Sequence, residues 1–160
     1  MIQEFKESYV KVEREHGIAT IEFFHPQSNS LPGKILETLA QDIHGEGLNG
    51  DIKVIVLRSA GDKAFCAGAD LEYLQKISEY SIIDNFVDSR LLQETFHTIY
   101  TCPKPVIAKV HGPAIAGGCG LASVCDFVVA SKEKALFGYS EVKIGFVAAI
   151  VMVYLLKKIG

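Results

Sequence analysis

The alternation of apolar and polar residues near the start of the chain predicts a β-hairpin. Residues 8–15 alternate apolar and charged side chains, and after a turn at Gly17 the segment Ile18–Phe24 alternates again. A period of two places successive side chains on opposite faces of a strand, so one face of the hairpin is expected to be buried. The side chains on that face of the second strand are Ala19, Ile21 and Phe23.

Helical and extended patterns alternate along the rest of the chain. Apolar residues at the spacing of one helix face predict two helices, which carry Leu36, Leu39, Ala40 and Ile43 in the first case and Leu92, Phe96, Ile99 and Tyr100 in the second. Residues 54–57 form a continuous apolar run, which is typical of a strand covered on both faces. Two more strands are predicted at Val106–Val110 and Phe127–Ala130, with a short helix at Gly117–Val124 between them. These successive units of two strands and a helix predict one α/β domain over residues 1–160, arranged in layers or as a coil.

The last predicted helix, residues 148–158, is apolar on nearly every side. A helix of that kind needs cover on several faces, and we expect it to come from residues beyond this sequence or from a partner chain. The longest uncharged apolar run, residues 144–156, is shorter than the roughly 20 residues that cross a bilayer. No membrane span is therefore predicted.

Charge and cysteine usage argue against several classes of function. Lysine and arginine number 16 against 19 aspartates and glutamates, a net charge of −3, and the chain has no basic stripe, so nucleic-acid binding is not expected. The first residues include no apolar signal segment, and the cysteines (Cys66, Cys102, Cys119 and Cys125) form no CxxC pair. A reducing, cytoplasmic location with structural thiols is expected. No spacing of histidines and carboxylates indicates a metal site.

Two glycine-rich loops are where we expect chemistry. They cover residues 63–71 and 111–121, and each follows a predicted strand. Small residues leave backbone N–H groups unobstructed, and a helix that begins at Gly117 aims its unpaired N–H groups at whatever lies in front of it. One N–H from each loop could form an oxyanion hole. Neither loop fits the spacing of a dinucleotide or ATP-phosphate loop, and each loop taken alone is also compatible with a structural turn.

Several motifs along the chain resemble those of one superfamily. They are Asn29-Ser30-Leu31, Phe65-Cys66-Ala67-Gly68-Ala69-Asp70-Leu71, Pro105-Val106-Ile107-Ala108, Gly112, Ala116-Gly117-Gly118-Cys119, Cys125-Asp126 and the segment that runs from Phe137 through Glu141 to Gly145. In order and spacing they resemble the crotonase (enoyl-CoA hydratase/isomerase) superfamily. The resemblance implies a spiral of ββα turns, an acyl-CoA thioester as substrate, and trimers or dimers of trimers. It implies no separate cofactor, because coenzyme A is part of the substrate.

The resemblance also implies roles for individual residues. Ala69 and Gly117 match the positions whose backbone N–H groups hold the thioester oxygen, and Glu141 matches a catalytic glutamate. A carboxylate near the reacting carbons can act first as general base and then as general acid. The other positions implied to bind the CoA thioester are Ala67, Gly68, Asp70, Leu71, Gly118 and Gly120.

One departure from the family pattern bears on the reaction. Hydratases of the family commonly carry a second glutamate where this chain has Gly120. However, residues 118–122 together with residues 139–147 resemble a bacterial branch usually assigned as enoyl-CoA or methylglutaconyl-CoA hydratases. We therefore expect hydration of a 2-enoyl-CoA, a lyase reaction of fatty acid metabolism. The alternatives are double-bond isomerisation, for which one carboxylate suffices, and a non-catalytic acyl-CoA-binding subunit, because a fold alone does not determine function. Family chains are longer and end in a helical region, so residues 1–160 are expected to be the N-terminal spiral core of a longer enzyme.

Overall fold

The structure of the chain, a computed structural model, describes residues 7–69, 79–141, 145 and 147–160. These residues form a five-stranded sheet, a two-stranded sheet and the helices that pack against them. The α/β class predicted from the sequence is therefore confirmed. None of the helices in these ranges combines the length and the apolar character that a membrane span requires.

The predicted hairpin is present and begins the large sheet. Strand β1 (Tyr9–Glu15) pairs antiparallel with β2 (Ile18–Phe24), with Glu15 opposite Ile18. The two turn residues, His16 and Gly17, have φ values of 50° and 80°, as a two-residue hairpin turn of type I′ requires. The predicted buried face of β2 is confirmed, since Ala19, Ile21 and Phe23 are all fully buried.

The hairpin is extended by three parallel strands into the large sheet. Strand β3 (Val54–Ser59) pairs with β2, β4 (Val106–Val110) pairs with β3, and the outermost strand, β6 (Phe127–Ala130), pairs with β4. Two short strands, β5 (Ala114–Ile115) and β7 (Phe137–Gly138), form the small sheet. The loops that follow β3 and β4 lead to the two glycine-rich segments.

Only one face of the large sheet is fully buried. Helix α1 (Gly33–Leu48) packs on this face of β2, and helix α2 (Ile82–Tyr100) packs on α1. Along β3, burial alternates: Ile55 and Leu57 are fully buried, whereas the side chains between them are half-buried. The prediction that residues 54–57 are covered on both faces is wrong.

The other face of the sheet carries charged residues in register, which explains why the second face of β3 is not buried. Lys11, Glu22, Arg58 and Lys109 occupy paired positions on four successive strands. Glu22 lies between two cations, with Lys11 Nζ 3.1 Å and an Arg58 guanidinium nitrogen 2.8 Å from its carboxylate oxygens. Such cross-strand pairs of opposite charge stabilise a sheet face without burying it against a second layer.

The last helix covers the second glycine-rich segment. Helix α3 (Gly117–Val124) packs against α4 (Ala149–Ile159), whose buried residues are Val151 and Tyr154. The Tyr154 ring lies edge-on to Phe96 of α2, with the ring centroids 6.5 Å apart. The opposite side of α4 exposes Met152, Val153 and Leu156. Only one face of this apolar helix is thus covered by the described residues, whereas the sequence predicts that several faces need to be covered.

An ion pair ties the hairpin to the end of α1. Arg14 Nε donates to both carboxylate oxygens of Glu46, at 3.1 and 3.0 Å, although the Glu46 side chain is only 6% exposed. Lys104 Nζ donates to the Glu46 backbone oxygen at 3.0 Å. The hydrogen bonds from the Arg14 guanidinium hold the pKa of the Glu46 carboxyl below its ordinary value of 4.5.

The ion pair predicts how stability depends on pH. A carboxyl whose pKa is lowered by folding stabilises the folded state above its unfolded pKa, and that contribution is lost as pH falls through the folded pKa. We expect Glu46→Gln to reduce the free energy of unfolding by about 1 kcal/mol at pH 7. Urea unfolding of both proteins should show this difference shrinking as the pH falls below 4.5.

The matched control is Glu94→Gln. Arg90 and Glu94 form an i, i+4 pair in which both side chains are more than half exposed. Pairs of that kind are worth about 0.5 kcal/mol or less, so this substitution should change stability little at any pH. Equal losses at the two positions, or a Glu46→Gln difference that persists in acid, would contradict the assignment.

Candidate active site

Strand β5, part of the second glycine-rich loop, lies between the first glycine-rich loop and the strand β7, which precedes Glu141. On one edge, Cys66 forms a parallel bridge with Ala114, and the Ile115 N–H donates to the Cys66 oxygen at 2.9 Å. On the other edge, β5 pairs with β7, and the N–H groups of Ala114 and Ala116 donate to the oxygens of Leu136 and Gly138, both at 2.8 Å. Backbone hydrogen bonds therefore hold both glycine-rich loops and the segment before Glu141 in one arrangement.

The two glycine-rich loops approach each other so closely that side chains are excluded between them. A Cβ atom at Gly118 would lie 2.2 Å from the Cys66 carbonyl oxygen. At Gly68, whose φ is +82°, a Cβ would lie 2.9 Å from the Gly117 nitrogen and 3.0 Å from the Ile115 oxygen. Real Cβ atoms do not approach heavy atoms that closely, so both positions need glycine.

The two predicted oxyanion donors lie beside this contact. Ala69 directly follows Gly68, and Gly117 is the first residue of α3. Neither the Ala69 N–H nor the Gly117 N–H donates a hydrogen bond to another described residue. The first N–H groups of a helix have no partner within the helix and lie at its positive end. Unpaired donors of this kind can hydrogen bond an oxygen that gains negative charge.

Glu141 lies three residues after β7. Its side chain is half-buried, and its Oε2 atom is inaccessible to solvent and accepts no hydrogen bond from a described residue. A buried polar atom without a partner costs about 1–3 kcal/mol, so such atoms are rare and call for an explanation. A carboxylate oxygen kept free in this way is available to accept a proton from a bound molecule.

Tyr139 adds a polar group to this segment that the sequence reasoning missed. Its hydroxyl lies 3.3 Å from Ser123 Oγ, and Ser123 Oγ donates its own proton to the Cys119 oxygen at 2.7 Å. Tyr139 is therefore the donor to Ser123. Burial, with smaller contributions first from Cys119 and then from the Glu141 charge, raises the pKa of Tyr139 to about 12, so the hydroxyl stays protonated at neutral pH. The position of Tyr139 two residues before Glu141 was the available signal.

Gly120 faces away from the contact between the loops. A Cβ atom at Gly120 would lie 2.5 Å from Val151 Cγ2 and 3.0 Å from the Phe96 ring. The side-chain direction at this position thus points into packed residues of α4 and α2. A glutamate could not be accommodated here without displacing the Val151 and Phe96 side chains, so the packing agrees with the absence of a second carboxylate.

The structure places the remaining predicted residues as follows. Gly118 and Gly68 are buried, Ala67 is half-buried and Ala69 is exposed. Asp70 and Leu71 lie outside the described residues. Among the residues that are described, no group of three histidines, cysteines or carboxylates could hold a metal ion.

Two completely buried cysteines, one in the first glycine-rich loop and one at the C-terminal end of α3, are not nucleophiles. Cys66 and Cys125 are completely buried and carry free thiols. Burial raises the pKa of each thiol to about 12, so neither forms the reactive thiolate at neutral pH. Cys66 contributes its backbone oxygen to the loop contact instead, which is a structural role.

Comparison with known proteins shows similarity over nearly the whole chain. The model of the enoyl-CoA hydratase/isomerase family matches residues 13–160. A Thermus thermophilus protein with the provisional name enoyl-CoA hydratase is 43% identical over 152 residues, which are 94% of this chain and 59% of that protein. The crotonyl-CoA hydratase of Syntrophomonas wolfei is 33% identical over 135 residues, 84% of this chain and 50% of that one.

The fold is also shared with solved structures. A Legionella pneumophila protein provisionally named enoyl-CoA hydratase/isomerase (crotonase) superposes with a TM-score of 0.90 at 32% identity, covering 96% of this chain and 59% of that one. The predicted crotonase-like spiral is thereby confirmed. The chain spans between half and three fifths of the length of these relatives.

The loop contact predicts opposite results for two neighbouring glycines. Gly118→Ala places a methyl group against the Cys66 oxygen, so we expect a loss of about 2–3 kcal/mol in the free energy of unfolding. For Gly117→Ala the nearest described atom, Gly68 Cα, is 3.7 Å away, so stability should be unchanged or slightly raised. Denaturant unfolding of the two variants compares them directly. A tolerated Gly118→Ala would show that the loops are not packed in this way.

Proposed function

This chain belongs to the enoyl-CoA hydratase/isomerase family, and from that premise we propose that it forms the core of an enzyme that adds water to a 2-enoyl-CoA thioester. The supporting observation is the small sheet, which brings onto neighbouring segments two N–H donors and a carboxylate oxygen that have no partner among the described residues. The names of the Thermus and Syntrophomonas relatives agree with this choice.

The backbone donors stabilise the negative charge that develops on the thioester oxygen. When water adds to the β carbon, the electrons of the double bond move toward this oxygen and form an enolate. The N–H groups of Ala69 and Gly117 donate to it, and removal of one such donor typically costs about 3–4 kcal/mol of barrier. We assign coenzyme A binding to Ala67, Gly68 and Gly118 beside these donors, where small residues let the backbone approach the substrate. From the resemblance alone we add Asp70 and Leu71.

Glu141 moves the proton. Its free carboxylate oxygen takes a proton from the water as the water oxygen bonds to the β carbon. The same carboxyl then returns a proton to the α carbon as the enolate collapses to the thioester, which regenerates the carboxylate. The Tyr139 hydroxyl on the same segment stays protonated at neutral pH and, through its hydrogen bond to Ser123, holds this segment against α3.

Double-bond isomerisation is the second candidate, and the packing at Gly120 favours it. In that reaction one carboxylate removes a proton from the α carbon of a 3-enoyl-CoA and returns it to the γ carbon. No second carboxylate is needed, and position 120 has no space for one while Val151 and Phe96 occupy their places. The same oxyanion donors would stabilise the dienolate.

A subunit that binds acyl-CoA without catalysis is the third candidate function, and a homo-oligomer is the proposed assembly. A fold shared with enzymes does not by itself make a protein an enzyme, and the chain spans about half the length of several relatives. A second copy of the chain is the partner proposed for the exposed apolar side of α4, which carries Met152, Val153 and Leu156. Coenzyme A binding without turnover would support the binding subunit.

Glu141→Gln tests the proposed reaction. The amide keeps the size of the side chain but cannot accept a proton, so we expect turnover of the preferred substrate to fall at least about 100-fold with little change in coenzyme A affinity. Assays with a 2-enoyl-CoA and a 3-enoyl-CoA distinguish hydration from isomerisation. Glu133→Gln, at an exposed position on the turn before β7, is the control and should leave turnover unchanged. If Glu141→Gln retains both activities, Glu141 is not the catalytic base.

A further inference from the structure

The Asn29-Ser30-Leu31 motif has no role in the mechanism above, yet Asn29 makes an unusual set of contacts. Its side chain is buried, and all three of its hydrogen bonds go to backbone groups. The Nδ2 group donates to the oxygens of Ala60 and Ala64, both at 2.8 Å, and Oδ1 accepts from the His25 N–H at 2.9 Å. The carboxamide thus uses both of its donor protons on the loop that follows β3.

Those two acceptors lie at either end of one exposed loop. Ala60 and Ala64 are buried, whereas the three residues between them are exposed. By donating to both carbonyls, Asn29 holds the two ends of this loop together and fixes the position of Phe65, the next residue after it. Phe65 N–H then donates to the Pro113 oxygen at 2.9 Å, which starts the contact with the second glycine-rich loop.

Backbone groups on both sides of Asn29 hold the next part of the same loop. The Ala67 N–H donates to the Ser28 oxygen at 3.0 Å, and the Leu31 N–H donates to the Gly68 oxygen at 3.1 Å. Ala69, one of the two proposed donors to the thioester oxygen, is the next residue in the chain. The segment around Asn29 therefore contacts the loop at four points between residues 60 and 68.

The backbone at Asn29 is specialised for this arrangement. Ser28 and Asn29 have φ values of 53° and 57°, in the left-handed region that few residues other than glycine and asparagine adopt readily. This conformation turns the chain so that the carboxamide points at Ala60 and Ala64 while Ser28 and Leu31 face residues 67 and 68.

From these contacts we propose that Asn29 is a positioning residue, which holds the loop after β3 so that the Ala69 N–H meets the thioester oxygen. The assignment rests on the proposed function, because it gives Asn29 its effect through the Ala69 donor. Asn29 itself does not contact the substrate.

Two substitutions at Asn29 separate its hydrogen bonds from its backbone conformation. Asn29→Asp keeps the size, the tolerance of positive φ and the acceptor for His25, but it puts a carboxylate against two carbonyl oxygens. Asn29→Gly suits the backbone conformation and removes the carboxamide. Asn49→Asp is the matched control. Asn49 Nδ2 also donates to an oxygen, Oε2 of Glu46, so this substitution likewise places a carboxylate against an acceptor oxygen. Asn49 precedes β3, however, and lies at the opposite end of that strand from Ala60.

The measurements compare chemistry with binding. For each variant of the full chain we would determine kcat and KM with the preferred enoyl-CoA and the affinity for free coenzyme A. We would also determine the affinity ratio of an acyl-CoA thioester to its thioether analogue, which lacks the carbonyl oxygen. We expect kcat to fall at least about tenfold and the ratio to fall toward one in both Asn29 variants, with coenzyme A affinity within about twofold of the parent. Asn49→Asp should match the parent.

Four results would overturn the proposal. One is a folded Asn29→Asp or Asn29→Gly chain with unchanged kcat and an unchanged thioester preference. Another is a loss of coenzyme A affinity in step with kcat, which would indicate general disruption. If neither variant folds, Asn29 serves folding alone. A parent chain that neither binds nor converts any acyl-CoA fails before the variants are compared and overturns the proposed function together with this assignment.

Discussion

Strand β5 has only two residues, but the arrangement of the site depends on its hydrogen bonds at both edges. Cys66 pairs with Ala114 on one side, and β7 pairs on the other. Peptide groups are rigid and their hydrogen bonds have narrow distance ranges, so this pairing sets the relative positions of three chain segments closely. Ala69, Gly117 and Glu141 each follow a paired residue by two or three positions, which is too short a distance for the chain to rearrange freely.

The same pairing demands small residues and leaves polar groups unpaired. Gly68 and Gly118 lie where any side chain would collide with backbone of the other loop. The Glu141 Oε2 atom is buried without a partner among the described residues. Groups like this reduce stability, so other parts of the fold must hold the loops in place. Phe65, at the start of the first loop, does so by packing its buried ring edge-on against Phe23 of β2, with the centroids 5.7 Å apart.

Helix α4 connects the packing of the domain to the choice of reaction. Its Val151 side chain lies where a Cβ at Gly120 would project, so the position that carries a second glutamate in many hydratases of the family serves here as a contact between helices. Position 120 therefore supplies no second carboxylate, and the polar residues directly before Glu141 in the chain are Tyr139, whose hydroxyl stays protonated, and Ser140.

The sequence by itself determined the longer helices and strands and the motif positions, because these depend on local patterns, but it did not predict the two-residue strands β5 and β7. The hairpin strand Ile18–Phe24, the helix Gly117–Val124 and the strand Phe127–Ala130 match their predicted bounds, since periodicity and turn residues act within a few positions. Only the tertiary structure decided which faces are covered and which distant groups meet. The open face of β3 depends on charges from three other strands, the packing of Gly120 on a helix 30 residues later, and the bonds of Asn29 on carbonyls 31 and 35 residues away. A local pattern contains no information about such partners, because they come together only when the chain folds.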